Sequence, residues 1–227
     1  MHRGGAHYNR SRIFYKRMHR ENHEFAAHRD LLPYASGSST NQIQRPSMEF
    51  CTNCGQNVIP EVPAGDNRVR NVCKHCGKIH YENPRIVAGC VVAYQNSILL
   101  CKRAIEPRSG YWTVPAGFME NGETLPDAAA RETREEAMAD VDIGVLSTIV
   151  DVIQARQVHI FFEGSIAEPV FGPGDETLET RLFGPEDIPW SDIAFPSVRM
   201  ALEHHLSIRK SGFQGIRLDK APEIKVI

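Results

Sequence analysis

The sequence predicts an α/β fold, a mixed sheet held between helices in an α/β/α sandwich, preceded by a small ribbon built on four cysteines. Three observations carry this reading. Two Cys-x-x-Cys knuckles stand between positions 51 and 76, Val-, Ile- and Leu-rich extended runs begin at Ile86, and helical patterns follow at 124–138 and 197–210.

A chain of 227 residues with 41% hydrophobic and 24% charged residues is long enough for one well-packed domain and a small appendage. The expected organisation is an N-terminal extension at 1–47, a ribbon at 48–83, a main domain at 84–210 and a C-terminal tail at 211–227. No run approaches the ~18 apolar residues of a membrane span, and the start lacks a signal-peptide core, so a cytoplasmic, reducing location is expected and no membrane partner.

Charge is distributed unevenly. Residues 1–47 hold 8 Lys/Arg against 3 Asp/Glu, which leaves the remainder 18 basic and 25 acidic residues, a balance of −7. So acidic a body is a poor general binder of nucleic acid, because such binding rests on many Lys/Arg contacts to phosphate. It can still handle phosphates if metal ions supply positive charge. The extension lacks hydrophobic periodicity and ends in the polar stretch from Ser36 to Gln42, so it reads as disordered or dispensable, with Met48 as an alternative start. Glu21, Glu24 and Asp30 argue against an organelle-targeting peptide, and partner binding is a competing reading.

The first knuckle reads Cys51-Thr52-Asn53-Cys54-Gly55, and with 18 residues between Cys54 and Cys73 the second reads Cys73-Lys74-His75-Cys76-Gly77. Four thiolates must meet around Zn²⁺ tetrahedrally at about 2.3 Å, and each Cys-x-x-Cys turn places two sulfurs on one side of the ion. Disulfides, free thiols and a redox knuckle are the alternatives, and disulfides are uncommon in a reducing compartment. Four sulfurs fill the ion's coordination, so the zinc is structural. His75 and His80 lie nearby and receive no ligand role. Cys90 and Cys101 sit in apolar runs as buried, inert thiols.

Strand-type runs cover 86–94 and 97–103, parted by the turn Gln95-Asn96, and a short extended piece covers 112–115. A helix should begin after Thr124, which with Asp127 three residues on resembles a capping box, and Pro126 is tolerated in the first turn. Glu132, Glu135 and Glu136 then fall on one face, with Pro126, Ala130, Thr133 and Ala137 behind. Crowded carboxylates repel one another unless cations bind between them. Arg131 is placed to pair with Glu135 or to reach back to Glu123. Taken alone, 131–136 reads as a solvated charged face. The pattern from Gly117 through Glu123, Arg131, Glu132, Glu135 and Glu136 fixes six identities, with a chance on the order of 10⁻⁷ per starting position.

That pattern resembles the Nudix box, G-x5-E-x7-R-E-U-x-E-E-x-G-U, and the chain resembles the Nudix family over roughly residues 50 to 208. Thr133 stands where a larger apolar residue is usual, and Met138 stands where the family has the Gly that closes the helix. A non-Gly residue in that left-handed position costs roughly 1–2 kcal/mol. The resemblance implies a divalent cation, Mg²⁺ or Mn²⁺, on Glu132 and Glu136 with help from Glu135 and the Ala116 carbonyl, and the catalytic set Arg131, Glu132, Glu135 and Glu136. It also implies a further Glu outside the box. Glu176 and Glu179 are the candidates, with Glu179 preferred.

A zinc ribbon followed by this box is similar to NADH pyrophosphatases, but their motif S-Q-P-W-P-F-P-x-S is absent, and the corresponding stretch reads Gln154 to Phe162. Residues 112–118, 188–190 and 194–197 resemble instead the zinc-ribbon Nudix group of FAD and ADP-ribose pyrophosphatases. The expected function is therefore hydrolysis of FAD or ADP-ribose to AMP and a second phosphorylated product. NADH pyrophosphatase activity is one alternative, and a non-catalytic nucleic-acid-binding regulator is another. Arg85, Arg103 and Arg108 are candidates for the diphosphate, and Trp112 and Phe118 for stacking on a base. A small nucleotide is the expected partner, nucleic acid is not, and the family resemblance implies a homodimer.

Overall fold

In the computed structural model, residues 48–213 and 215–222 are described. The expectations placed on residues 1–47 lie outside them. Among the described residues no helix is long and apolar enough to cross a membrane.

The ribbon comes first. Strands β1 (Val58–Glu61), β2 (Arg70–Cys73) and β3 (Ile79–His80) form a three-stranded antiparallel sheet in the order β1-β2-β3. Its core is minimal: Cys51, Val58 and Cys73 are buried, with Met48 and Cys54 against them. So small a cluster supplies little hydrophobic stabilisation. A metal cross-link is what such a module needs.

The second sheet has eight strands: β4 (Arg85–Tyr94), β5 (Ser97–Arg103), β6 (Trp112–Thr113), β7 (Ala116–Phe118), β8 (Asp142–Val152), β9 (Gln157–Ser165), β10 (Thr177–Phe183) and β11 (Arg217–Lys220). Its main path runs β10-β5-β4-β9-β8-β11, with β6 on β5 and β7 on β4. The pairs β4–β9 and β8–β11 are parallel and the others antiparallel, so the sheet is mixed. Helix α1 (Leu125–Ala137) packs on one face and helix α2 (Pro196–Ser211) on the other.

Both faces of the central strands are covered, which is why they read as continuous apolar runs. Alternation sorts their residues. Cys90, Val92, Leu99, Cys101, Ile160 and Phe162 pack under α1, while Val91, Ile98, Leu100 and Phe161 pack under α2 with Val198, Ala201 and Leu202. The sequence-based sheet, ending near Ala167, omits two strands. β10 and β11 carry polar residues at alternate or successive positions and sit at the two edges, where backbone pairing suffices. The segment read as a tail from residue 211 thus contributes a strand, Arg217–Lys220, in parallel register with Thr148–Asp151.

Helix α1 begins as its sequence dictates. Thr124 Oγ1 accepts from the Asp127 N–H at 3.4 Å, and Asp127 Oδ2 accepts from the Thr124 N–H at 3.3 Å, a reciprocal capping box. The buried face differs from the expected one. It carries Ala128, Ala129, Glu132, Thr133, Glu136 and Ala137, while Pro126 is exposed and Ala130 half-buried. The helix leans on the sheet with two glutamates inward, leaving Glu135 at the rim. At its end Met138 adopts φ 49°, ψ 31° and is 62% exposed. Replacing Met138 by Gly should therefore raise the unfolding free energy by about 0.5–1 kcal/mol, the relief of left-handed strain less the added chain entropy. Urea unfolding measures this, and a lower midpoint at unchanged slope would contradict it.

Candidate active site and zinc site

Gly117 in β7 lies directly over α1, and a Cβ there would overlap the Glu132 carboxylate. This close approach sets the box loop against the glutamate helix. Arg131 locks it: Nε and Nη2 donate to the two Glu123 carboxylate oxygens at 3.0 and 2.8 Å, and Nη2 donates to the Phe118 carbonyl at 3.0 Å. Nη1 donates to Glu132 Oε1 at 2.7 Å and Glu135 Oε2 at 3.0 Å. The guanidinium, with help from the Glu120 N–H, holds the Glu123 carboxyl down to about 2. Both partners anticipated for Arg131 are present, and a bidentate fork of this kind fixes orientation as well as charge.

Glu132 and Glu136 are 8% and 9% exposed, and Glu135 is exposed. Glu136 Oε2 accepts the Ala116 N–H at 3.1 Å. Burial nevertheless pushes the Glu136 carboxyl up from 4.5 to about 8, with the neighbouring Glu132 and Glu176 adding to the rise. Burial also raises Glu132, opposed by Arg131. These carboxylates line an open cavity of about 760 Å³ together with Ala116, Arg103, Phe118 and Glu176.

The far wall comes from the loop before β10. The Gly172 and Gly174 N–H groups donate to the carbonyls of Ala137 and Glu136 at 2.8 and 3.1 Å, satisfying the open end of α1. A Cβ on Gly174 would overlap the Glu135 carbonyl, so only glycine lets the loop lie this close. Asp175 and Glu176 follow into the cavity.

The structure therefore gathers Ala116, Arg103, Arg131, Glu132, Glu135 and Glu136 around the cavity, and leaves Glu179, Trp112, Arg85 and Arg108 outside its lining. Glu179 does not line the cavity: it sits opposite Lys102 in register, on the sheet face away from α1, and its carboxylate pairs with Arg181. Trp112 is 6% exposed, packed edge-on against Phe183 at 4.9 Å between ring centroids, and serves the α2-side core. Arg85 stacks its guanidinium 4.4 Å from the Phe118 ring centroid rather than lining the cavity. Arg108, in a left-handed conformation, stands over Tyr111. Phe118 itself is exposed at the cavity wall, as a stacking candidate should be. Glu120, Asp175 and Pro173 also line the cavity, and nothing in their spacing marks them in advance.

An all-oxygen set of partly buried carboxylates is the donor chemistry that Mg²⁺ and Mn²⁺ take. Proton and metal compete for Glu136. Because its folded pKa lies above its unfolded value, its contribution to stability is present below about pH 4.5 and is lost as pH rises through about 8. Metal-free protein should lose stability from pH 6 to 8, while apparent Mg²⁺ affinity rises by up to about tenfold per pH unit and then levels. Titration calorimetry at four pH values measures this, and a pH-independent affinity from 6 to 8 contradicts it.

In the ribbon, Cys51, Cys54, Cys73 and Cys76 bring their sulfurs within 4.8 Å of one another. Cys51 and Cys76 stand 3.7 Å apart, and Cys54 and Cys73 3.5 Å. A tetrahedral ion bound at about 2.3 Å to each requires edges of roughly 3.8 Å, so the four sulfurs fit zinc.

The comparisons with known proteins agree with this architecture. Residues 83–201 match the NUDIX domain and residues 49–82 the Nudix N-terminal zinc ribbon. A NUDIX hydrolase from Nitrosomonas europaea is 44% identical with a TM-score of 0.75, over 78% of this chain and 100% of that one. Two curated relatives are named NAD-capped RNA hydrolase NudC. That of Salmonella heidelberg (strain SL476) is 40% identical over 147 residues, 63% of this chain and 54% of the relative. That of Vibrio atlanticus (strain LGP32) is 38% identical over 123 residues, 50% and 43% respectively. The chain thus spans about half the length of these curated relatives. It belongs to the Nudix family and carries that family's N-terminal zinc ribbon.

Proposed function

We propose that the chain hydrolyses the pyrophosphate bond of an adenosine-containing dinucleotide, releasing AMP and the other phosphorylated half. The observation that carries this is the convergence of Glu132, Glu135, Glu136 and Glu176 on one open cavity that also presents Arg103 and Phe118. Mg²⁺ or Mn²⁺ on these carboxylates supplies charge neutralisation at the pyrophosphate oxygens and acidifies a coordinated water. Glu132 and Glu136 would hold the cation, assisted by Glu135 and the Ala116 carbonyl. Arg131 is a positioning residue, its donors bound to Glu123, Glu132, Glu135 and the box loop. Arg103 faces the diphosphate, and Phe118 stacks on a ring of the substrate. Water adds its oxygen to one phosphorus, the bridging oxygen leaves with the other phosphate, and Glu176 takes the water's proton.

The relatives' names favour an NADH-like substrate over the FAD or ADP-ribose expected from sequence, and they weigh against the expectation of no nucleic acid. FAD or ADP-ribose is the second reading, favoured by the missing S-Q-P-W-P-F-P-x-S motif. A panel of NADH, NAD⁺, FAD, ADP-ribose and an NAD-capped oligonucleotide with Mn²⁺ decides between them. Metal-dependent release of AMP, or of nicotinamide mononucleotide from the capped oligonucleotide, is expected. No cleavage of any member would overturn the proposal. With the preferred substrate, Glu176→Gln should lose about 10²-fold or more in kcat and Glu179→Gln less than about threefold. Equal losses would put the proton acceptor elsewhere.

A further inference from the structure

Four sulfurs complete a zinc site by themselves and leave His80 no place among the ligands. In the structure its side chain is buried, and Nε2 lies 3.3 Å from Cys51 Sγ. A thiolate bound to zinc carries no proton, so this contact is a hydrogen bond only with Nε2–H as the donor. The same sulfur accepts the Asn53 backbone N–H at 3.4 Å.

The electrostatics explain why donors gather there. Four thiolates on one Zn²⁺ leave a net charge of −2, and charge removed from water needs hydrogen-bond partners. Cys51 is buried and has little water to recruit. The Asn53 N–H comes with the knuckle turn itself. The imidazole comes from β3, a different strand, placed by the pairing of His80 with Asn71 in β2. It ties the first knuckle to the strand that follows the second.

We propose that His80 is a positioning residue for the ribbon's zinc, donating Nε2–H to the Cys51 thiolate and slowing the ion's release. Partners of this kind commonly account for 10- to 100-fold in metal affinity. The full chain, loaded with one zinc, is mixed with a chromophoric chelator and the release rate compared among native, His80→Phe, His80→Met and His80→Gln. The two variants without a donor should release zinc about 10 to 100 times faster, and His80→Gln, which keeps an N–H, should fall between them and the native chain. Cobalt(II) in place of zinc should show the same four-thiolate charge-transfer bands in every variant. Native release rates in His80→Phe and His80→Met overturn the proposal. So does equal acceleration in His80→Gln and His80→Met, because the donor would then be irrelevant. A cobalt spectrum that changes with His80 makes it a ligand and equally overturns it. If His80→Phe fails to fold, the Met and Gln pair decides alone.

Discussion

Glu136→Gln is expected to lose 10²- to 10⁴-fold in rate on every substrate the native chain cleaves, with the fold intact. The change removes one metal-binding charge and keeps the shape, so the loss, roughly 3–5 kcal/mol of transition-state stabilisation, reports the metal's placement. The structure explains why the fold survives. The buried Glu136 carboxyl, pushed up to about 8, is largely protonated at neutral pH without metal, and Gln is close to isosteric with that form. Its amide oxygen can still accept the Ala116 N–H. The variant should even be the more stable of the two at pH 8, where the native carboxyl has begun to ionise inside the protein. Circular dichroism melts beside the rate assay separate these effects. A native rate would sink the mechanism, and a collapsed fold would show that Glu136 packs rather than binds.

Cys73→Ser is the second large effect, and it falls on structure. Cys73 is fully buried, its N–H donates to the Lys78 carbonyl at 2.9 Å, and its carbonyl accepts the Gly77 N–H. The apolar cluster around it consists of Cys51 and Val58 with Met48 and Cys54 packed against them, so the metal supplies most of the ribbon's folding free energy, roughly 10–16 kcal/mol in comparable small zinc modules. With three thiolates the chain should lose its zinc, and residues 49–82 should become open to proteolysis and amide exchange. The eight-stranded sheet has its own two cores under α1 and α2, so residues 85–211 should stay protected. Retention of one zinc per chain with native protection of the ribbon would contradict this account.

What the sequence disclosed and what it hid follow from the range of the interactions involved. The cap at Thr124, the left-handed Met138, the glutamate spacing and the cysteine knuckles are local, written within a few residues of one another. The faces of strands are equally legible where apolar residues alternate with a known partner, as at Val91 and Val92. Glu179 is the counterexample. Its face depends on a register shift in β10 between Thr177 and Glu179 against β5, which no local pattern specifies. Glu176 enters the cavity because Gly172 and Gly174 dock a loop onto the end of α1, some 35 residues away in the chain from the spot that loop completes. Trp112 looked like a base-stacking residue because aromatic side chains serve cores and ligands alike; only its packing on Phe183 separates the two. Arg217 to Lys220 carry no apolar alternation, so the edge strand β11 is invisible until the backbone of β8 is in place.

The central claim is that the inward face of α1 is a divalent-cation site. Electron paramagnetic resonance of Mn²⁺ tests it without any assumption about substrate. As the chain is added to Mn²⁺ at pH 8, the free-ion signal should fall in proportion to the sites filled, and the double variant Glu132→Gln/Glu136→Gln should leave it nearly unchanged while its zinc content stays native. Equal loss of the signal with native and double-variant chains would place the metal elsewhere and contradict the account.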